Sequence, residues 1–166
     1  MRVTVDDDGT VTIERNVAAP DRSEMSGFVI KSDDEKRFLL TVAYPAMKAD
    51  ASVGKDKHRD FASADVVEKA AWNFLRKGAK VGLWHEPGHD DAAEVVESYV
   101  WRGEPWLIKA ANGTDQTIMA GDWLVGLVLS EPTWELYKSG DIGGVSPQGR
   151  GKRKVPDAAT LAKLRS

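Results

Sequence analysis

Asp122-Trp123-Leu124-Val125-Gly126-Leu127-Val128-Leu129 is the longest apolar run of the chain, and it decides how the rest is read. It shows no alternation of polar and apolar residues. A short continuous run of this kind predicts a strand covered on both faces. Something must therefore lie above and below it, and the flanking sequence supplies candidates on both sides.

Upstream, Val95 to Trp101 and Trp106 to Ala110 are β-forming runs separated by Arg102-Gly103-Glu104-Pro105, with Asn112-Gly113 as a further turn. Ser63 stands where a helix cap is expected. Val67, Ala70, Ala71, Phe74 and Leu75 then share one helical face, with a stop near Gly78. Lys80 to Trp84 reads as another strand. Nearer the start, Gly27 to Ile30 and Arg37 to Pro45 are strand-like, and Val3, Val5, Val11 and Ile13 alternate around Asp6-Asp7-Asp8-Gly9 as a hairpin with an acidic tip. Ala46 to Phe61 lacks a period and reads as a loop. Downstream of the apolar run, Ser130 or Thr133 caps a short helix through Trp134, Leu136 and Tyr137 that ends at Gly140. Many short strands and two helices predict an α+β, mainly β fold and exclude alternating βαβ units.

At 166 residues one domain is expected, over residues 1–150, followed by a tail from Arg150 to Ser166 with six Lys or Arg against one Asp. That tail reads as a flexible or weakly helical extension. The net charge of −3 argues against a general nucleic-acid binder. With no cysteine, thiolate catalysis, disulfides and Cys-ligated metals are excluded. No run is long enough to span a membrane and no apolar signal core follows Met1, so the cytoplasm is the expected compartment.

Two segments are built for something other than packing. Val81-Gly82-Leu83-Trp84-His85 is followed at once by Glu86-Pro87-Gly88-His89. This satisfies the H-E-x-x-H pattern of zinc proteases, but that chemistry needs both histidines one helical turn apart. Proline costs about 3 kcal/mol inside a helix and glycine about 1 more, so no helix is expected here. A loop-borne metal site with Asp90 and Asp91 is a minor alternative, and no cofactor is expected. His85 fits better as a general base at a strand end.

The second segment is Gly143-Gly144-Val145-Ser146-Pro147-Gln148-Gly149. Small neighbours let a substrate backbone approach Ser146 and expose N–H donors for an oxyanion. Pro147 has no N–H, so the donors must come from Ser146, Gln148, Gly149 or Arg150. It is not the G-x-S-x-G elbow of α/β-hydrolases. A serine and a histidine so placed suit a nucleophile with its base, and a third group would orient the imidazole. Glu97, inside an otherwise apolar strand, is the first candidate for it. Asp122 is the second and His89 a distant third, while His58 reads as a surface residue.

Taken together, residues Asp60 to Gly149 resemble the XkdF-like phage serine proteases, which belong with the capsid-maturation (prohead) proteases of tailed phages and are distantly similar to herpesvirus assemblin. The parts stand in family order: the helix from Asp60 to Leu75, the histidine motif Val81 to His85, the strand Val95 to Val100, the run from Gly121 with the segment Trp134 to Gly140, and the serine motif Ile142 to Gly149. Val145 and Pro147 depart from the family's usual neighbours of the serine. The resemblance implies an antiparallel β-barrel with flanking helices. It also implies an endopeptidase acting inside the assembling procapsid in the host cytoplasm, on scaffolding protein or a scaffold segment of the major capsid protein. It would use Ser146, His85 and Glu97, with Gly144, Gln148 and Gly149 around the oxyanion and substrate, and a homo-oligomer is compatible with it. The competing expectations are a catalytically silent structural or scaffold-binding protein on the same fold, or a metal-dependent hydrolase using His85 and His89.

Overall fold

The computed structural model describes residues 2–5, 11–14, 28–46, 62–83, 91–145 and 158–159. The apolar run is strand β8 (Trp123–Leu129), and six of its seven residues are buried. The other elements precede it except the last: β1 (Arg2–Val5), β2 (Val11–Glu14), β3 (Phe28–Asp33), β4 (Phe38–Tyr44), α1 (Ala64–Arg76), β5 (Ala93–Val100), β6 (Trp106–Lys109), β7 (Asp115–Ile118) and α2 (Glu131–Lys138). Strands β3, β4, β8 and β5 form one antiparallel sheet in that order, and β1–β2 and β6–β7 are separate hairpins.

The fold is thus mainly β with two helices and antiparallel sheets, as expected. Barrel closure is not made among the described strands, because the four-stranded sheet ends at β3 on one side and β5 on the other. Two further readings are corrected. Of Lys80 to Trp84, Trp84 lies outside the described residues, and the rest yields only isolated bridges from Val81 to Asp91 and to Ala93. Strand β7, Asp-Gln-Thr-Ile, is too polar to have been read as one; it exists because β6 supplies its hydrogen bonds across the Asn112-Gly113 turn. The tail is described only at 158–159, which are helical. Among the described residues, no helix is long and apolar enough to cross a membrane.

The lack of alternation in β8 has the expected cause. Trp123, Val125, Leu127 and Leu129 join a core with Val67 and Ala71 of α1 and Trp134 of α2. Leu124 turns the other way, to Val42, Ile30 and Ile118, where Ile108 of the β6–β7 hairpin closes the second face. In α1, Phe74 meets Trp123 edge-on at 5.3 Å between ring centroids, while Leu75 is 46% exposed because it falls just beyond the buried arc.

Gly126 interrupts β8 for a steric reason. A Cβ there would lie 2.8 Å from Glu97 Cβ, 2.9 Å from Glu97 Oε2 and 3.0 Å from Phe38 Cε2, because Glu97 and Phe38 lean over it from the neighbouring strands. Gly126→Ala is therefore expected to lower stability by about 1–3 kcal/mol, read as a fall in the urea midpoint with an unchanged slope. An unchanged midpoint would show that Glu97 and Phe38 swing aside at no cost.

Candidate active site

His85, Ser146, Gln148, Gly149, His89 and His58 lie outside the described residues, but the segments that carry the proposed pair are anchored by residues that are described. Val81, four residues before His85, bridges both Asp91 and Ala93 at the start of β5. The chain thus leaves and re-enters the sheet at bridged positions on either side of the histidine segment. Val145, immediately before Ser146, packs against the core shared by α1, α2 and β8, and Val81, Ala93 and Val95 pack against that same core. The sheet brings the roots of the two motifs to one face.

The route into the serine segment is set by the end of α2. Ser139 caps the helix, Gly140 is left-handed at φ 82°, and its N–H donates to Tyr137 O while Asp141 N–H donates to Leu136 O. This is the paired 5→2 and 6→1 closure of a Schellman motif. It reverses the chain over three residues and sends Ile142 to Val145 back across the core. Gly143 stands in open space, where a Cβ would meet nothing within 4 Å. Among the described residues, no neighbour demands that glycine. Gly144 beside it is half-buried.

Asp122 has a different task. It is 3% exposed; its Oδ1 accepts the N–H of Ala46 at 2.9 Å and its Oδ2 that of Met119, also at 2.9 Å. Its backbone completes a glycine bulge: Gly121, at φ 97°, donates to Trp101 O, and Trp101 N–H donates to Asp122 O. With both carboxylate oxygens holding main-chain donors, Asp122 ties the end of β4 to the entry of β8.

Glu97 sits on exposed ground. It pairs with Gly126, and by alternation along β8 it belongs to the face of Leu124. Val81 and Val145 pack on the opposite face, that of Trp123, Val125 and Leu127. Ser98, the next residue of β5, points to that opposite face and accepts a hydrogen bond from Trp123 Nε1 at 2.9 Å. Glu97 and the roots of the two motifs are thus separated by the thickness of an edge strand.

Tyr99, two residues beyond Glu97 and on its face, escaped the sequence reading because a tyrosine in a strand is ordinarily packing. Burial first, and the Glu97 charge second, hold its phenol above the usual tyrosine range. The fold favours the protonated phenol, so the stability that this contributes is present below the unfolded-state pKa and is lost as pH rises through the folded one. Glu97→Gln is expected to bring the Tyr99 titration, followed by phenolate absorbance, part of the way down. A titration that does not move would show that the carboxylate is turned away from the ring.

Among the described residues, no cluster of His, Asp or Glu is arranged to hold a metal ion. Asp91, the one described member of the loop-borne metal alternative, is exposed.

The comparisons with known proteins agree on one relationship. The family described as "Putative phage serine protease XkdF" matches residues 26–154, which takes in β3 and β4 as well as both motifs. "Uncharacterized protein YqbD" of Bacillus subtilis (strain 168) is 31% identical over 137 residues, covering 82% of this chain and 38% of that protein. "Phage-like element PBSX protein XkdF" of the same organism is 30% identical over 122 residues, 74% of this chain and 40% of that protein. The chain thus spans about two fifths of the length of these curated relatives. No solved structure matches it. With 26–154 carrying the match and both the histidine and the serine segment inside it, the chain belongs to the family described as "Putative phage serine protease XkdF".

Proposed function

We propose that this chain is a serine endopeptidase of phage capsid maturation, with Ser146 as nucleophile and His85 as its general base. The observation that carries this reading is the shared footing of the two motifs: Val81 and Val145 pack on one core, within a family match that spans both segments. In this reading His85 takes the Ser146 proton as Oγ attacks the peptide carbonyl, then gives it to the leaving amine. Water, activated by the same imidazole, hydrolyses the acyl-enzyme. Gly144, Gln148 and Gly149 surround the oxyanion, for which Pro147 offers no donor.

Glu97 is the carboxylate we assign to orient His85; Asp122 accepts the N–H groups of Ala46 and Met119 where β4 meets β8. The substrates we propose are the scaffolding protein or a scaffold segment of the major capsid protein, met inside the procapsid in the host cytoplasm. Self-association of the chain and a herpesvirus-protease-like barrel belong to the same proposal.

Pro147 favours one second reading, a catalytically silent scaffold-binding protein on this fold. Co-expression with the scaffolding and capsid proteins of the same phage separates the two. Cleavage by the intact chain that is lost in Ser146→Ala and in His85→Ala supports the protease. Cleavage that survives both substitutions removes the pair, and binding without cleavage by the intact chain supports the silent reading.

A further inference from the structure

Among the described strands, β5 is an edge of the main sheet, and its hydrogen-bonding phase can be followed from both ends. At its far end Trp101 exchanges hydrogen bonds with Gly121 and Asp122 on the β8 side. Counting back by alternation, Tyr99 and Glu97 turn their main-chain groups toward β8, while Val100 and Ser98 turn theirs outward. At the near end Ser130 N–H donates to Ala92 O. Ala92 and Glu94 therefore face β8, and Ala93 and Val95 face outward. The two phases are reconciled by the register shift between Val95 and Glu97, with Val96 as the extra residue, 48% exposed.

The outward groups of Ala93 meet Val81. Among the described residues, no main-chain partner outside β8 pairs with Val95 or Ser98. Edge strands are ordinarily guarded by charged side chains, proline, a β-bulge or a covering segment. The other edge, β3, has such a cover, since Ala111 of the β6–β7 turn donates its N–H to Val29 O. Ala-Glu-Val-Val-Glu-Ser-Tyr-Val of β5 has neither lysine nor proline, and its guards are Glu94, Glu97 and the bulge at Val96. Beside it lies a cleft of about 400 Å³ between the end of α1 and β5, lined by Ala79, Lys80, Asp91, Ala93, Glu94 and Val95. Ala79 adopts a left-handed φ of 49° just after α1.

We infer that a substrate polypeptide adds to the outer edge of β5 as an extended strand, pairing with Val95 and Ser98 and setting one side chain into the cleft beside Ala93 and Glu94. This rests on the endopeptidase reading and supplies its substrate-binding mode. Main-chain pairing grips any extended sequence, and a side-chain cleft adds selection. The occupied edge begins at the residues that bridge Val81, so the bound strand runs beside the root of the histidine segment.

The test uses the full chain and two readouts. A fluorophosphonate probe, mapped by mass spectrometry, reports the reactivity of Ser146; cleavage of the co-expressed scaffolding and capsid polypeptides reports productive binding. Val95→Pro removes one outward N–H without touching the β8 ladder. The ratio of cleavage rate to labelling rate is expected to fall at least tenfold in Val95→Pro, and an unchanged ratio overturns the edge as the binding site. Failure of the unsubstituted chain to label at Ser146 overturns the endopeptidase reading, and this inference with it. Should Val95→Pro not fold, amide hydrogen exchange on Ser146→Ala decides. Added substrate polypeptide is expected to slow exchange at Val95 and Ser98 at least tenfold and to leave β3 unaffected; no slowing at those two amides overturns the inference.

Discussion

Replacing Ser146 by alanine is expected to abolish cleavage of the scaffolding or capsid polypeptide, lowering kcat by about 10⁴- to 10⁶-fold, and His85→Ala is expected to lower it comparably. The two losses should not multiply. A nucleophile and its base act as a unit, so the double substitution should cost little more than either alone. That non-additivity is the sharper measurement, because two residues contributing independently to stability or binding would give losses that add in free energy. Pro147 supplies a second handle on the same chemistry. It stands where an N–H donor to the oxyanion is otherwise available, and one such donor is worth about 10²- to 10³-fold in kcat. Pro147→Gly is therefore expected to raise activity if that donor is missing and needed, and to leave it level if Gln148 or Gly149 already serves.

Asp122→Ala is expected to be the most destabilising single change among the polar residues, by about 2–4 kcal/mol. The substitution strands two main-chain donors, the N–H groups of Ala46 and Met119, that the carboxylate satisfies at 2.9 Å each. It also loosens the turn that feeds Gly121 and Trp101 into the sheet. A small domain has only about 5–15 kcal/mol in total, so the urea midpoint should drop conspicuously. Asp122→Asn should fall between, since an amide retains one acceptor. The residue was the second candidate for orienting His85, and the two roles separate cleanly. A structural Asp122 lowers the unfolding midpoint and leaves the activity of the remaining folded protein near normal, whereas an orienting one lowers kcat at full folding.

The sequence was readable where local chemistry and tertiary environment agree. Ser63 and the 3.6-residue spacing of Val67, Ala71 and Phe74 announce α1, and the structure places all three against the core. Ser130 and Gly140 bracket α2 as expected. The unalternating run at 123–129 requires cover on both faces, and the core clusters supply it. Reading failed where pairing overrides propensity. Asp-Gln-Thr-Ile is a strand because β6 lies beside it, and Lys80 to Leu83 yields only bridges despite its apolar content.

For the site the division is similar. The segments around them made His85 and Ser146 candidates and argued against a helical zinc site, because proline and glycine carry intrinsic backbone costs. Which of the two carboxylates is turned inward was not legible, since a carboxylate beginning an apolar run and one inside a strand look alike in sequence. Register and alternation distinguish them: Asp122 is turned inward onto two main-chain donors, and Glu97 outward over Gly126. The sequence alone determined which segments become strand or helix wherever period and caps speak, and which chemistry the chain has residues for. Only the tertiary structure decided which face each residue of β5 and β8 occupies and which sheet edge is left unpaired among the described residues. Those properties depend on a one-residue register between segments far apart in the chain, and a single bulge reverses them.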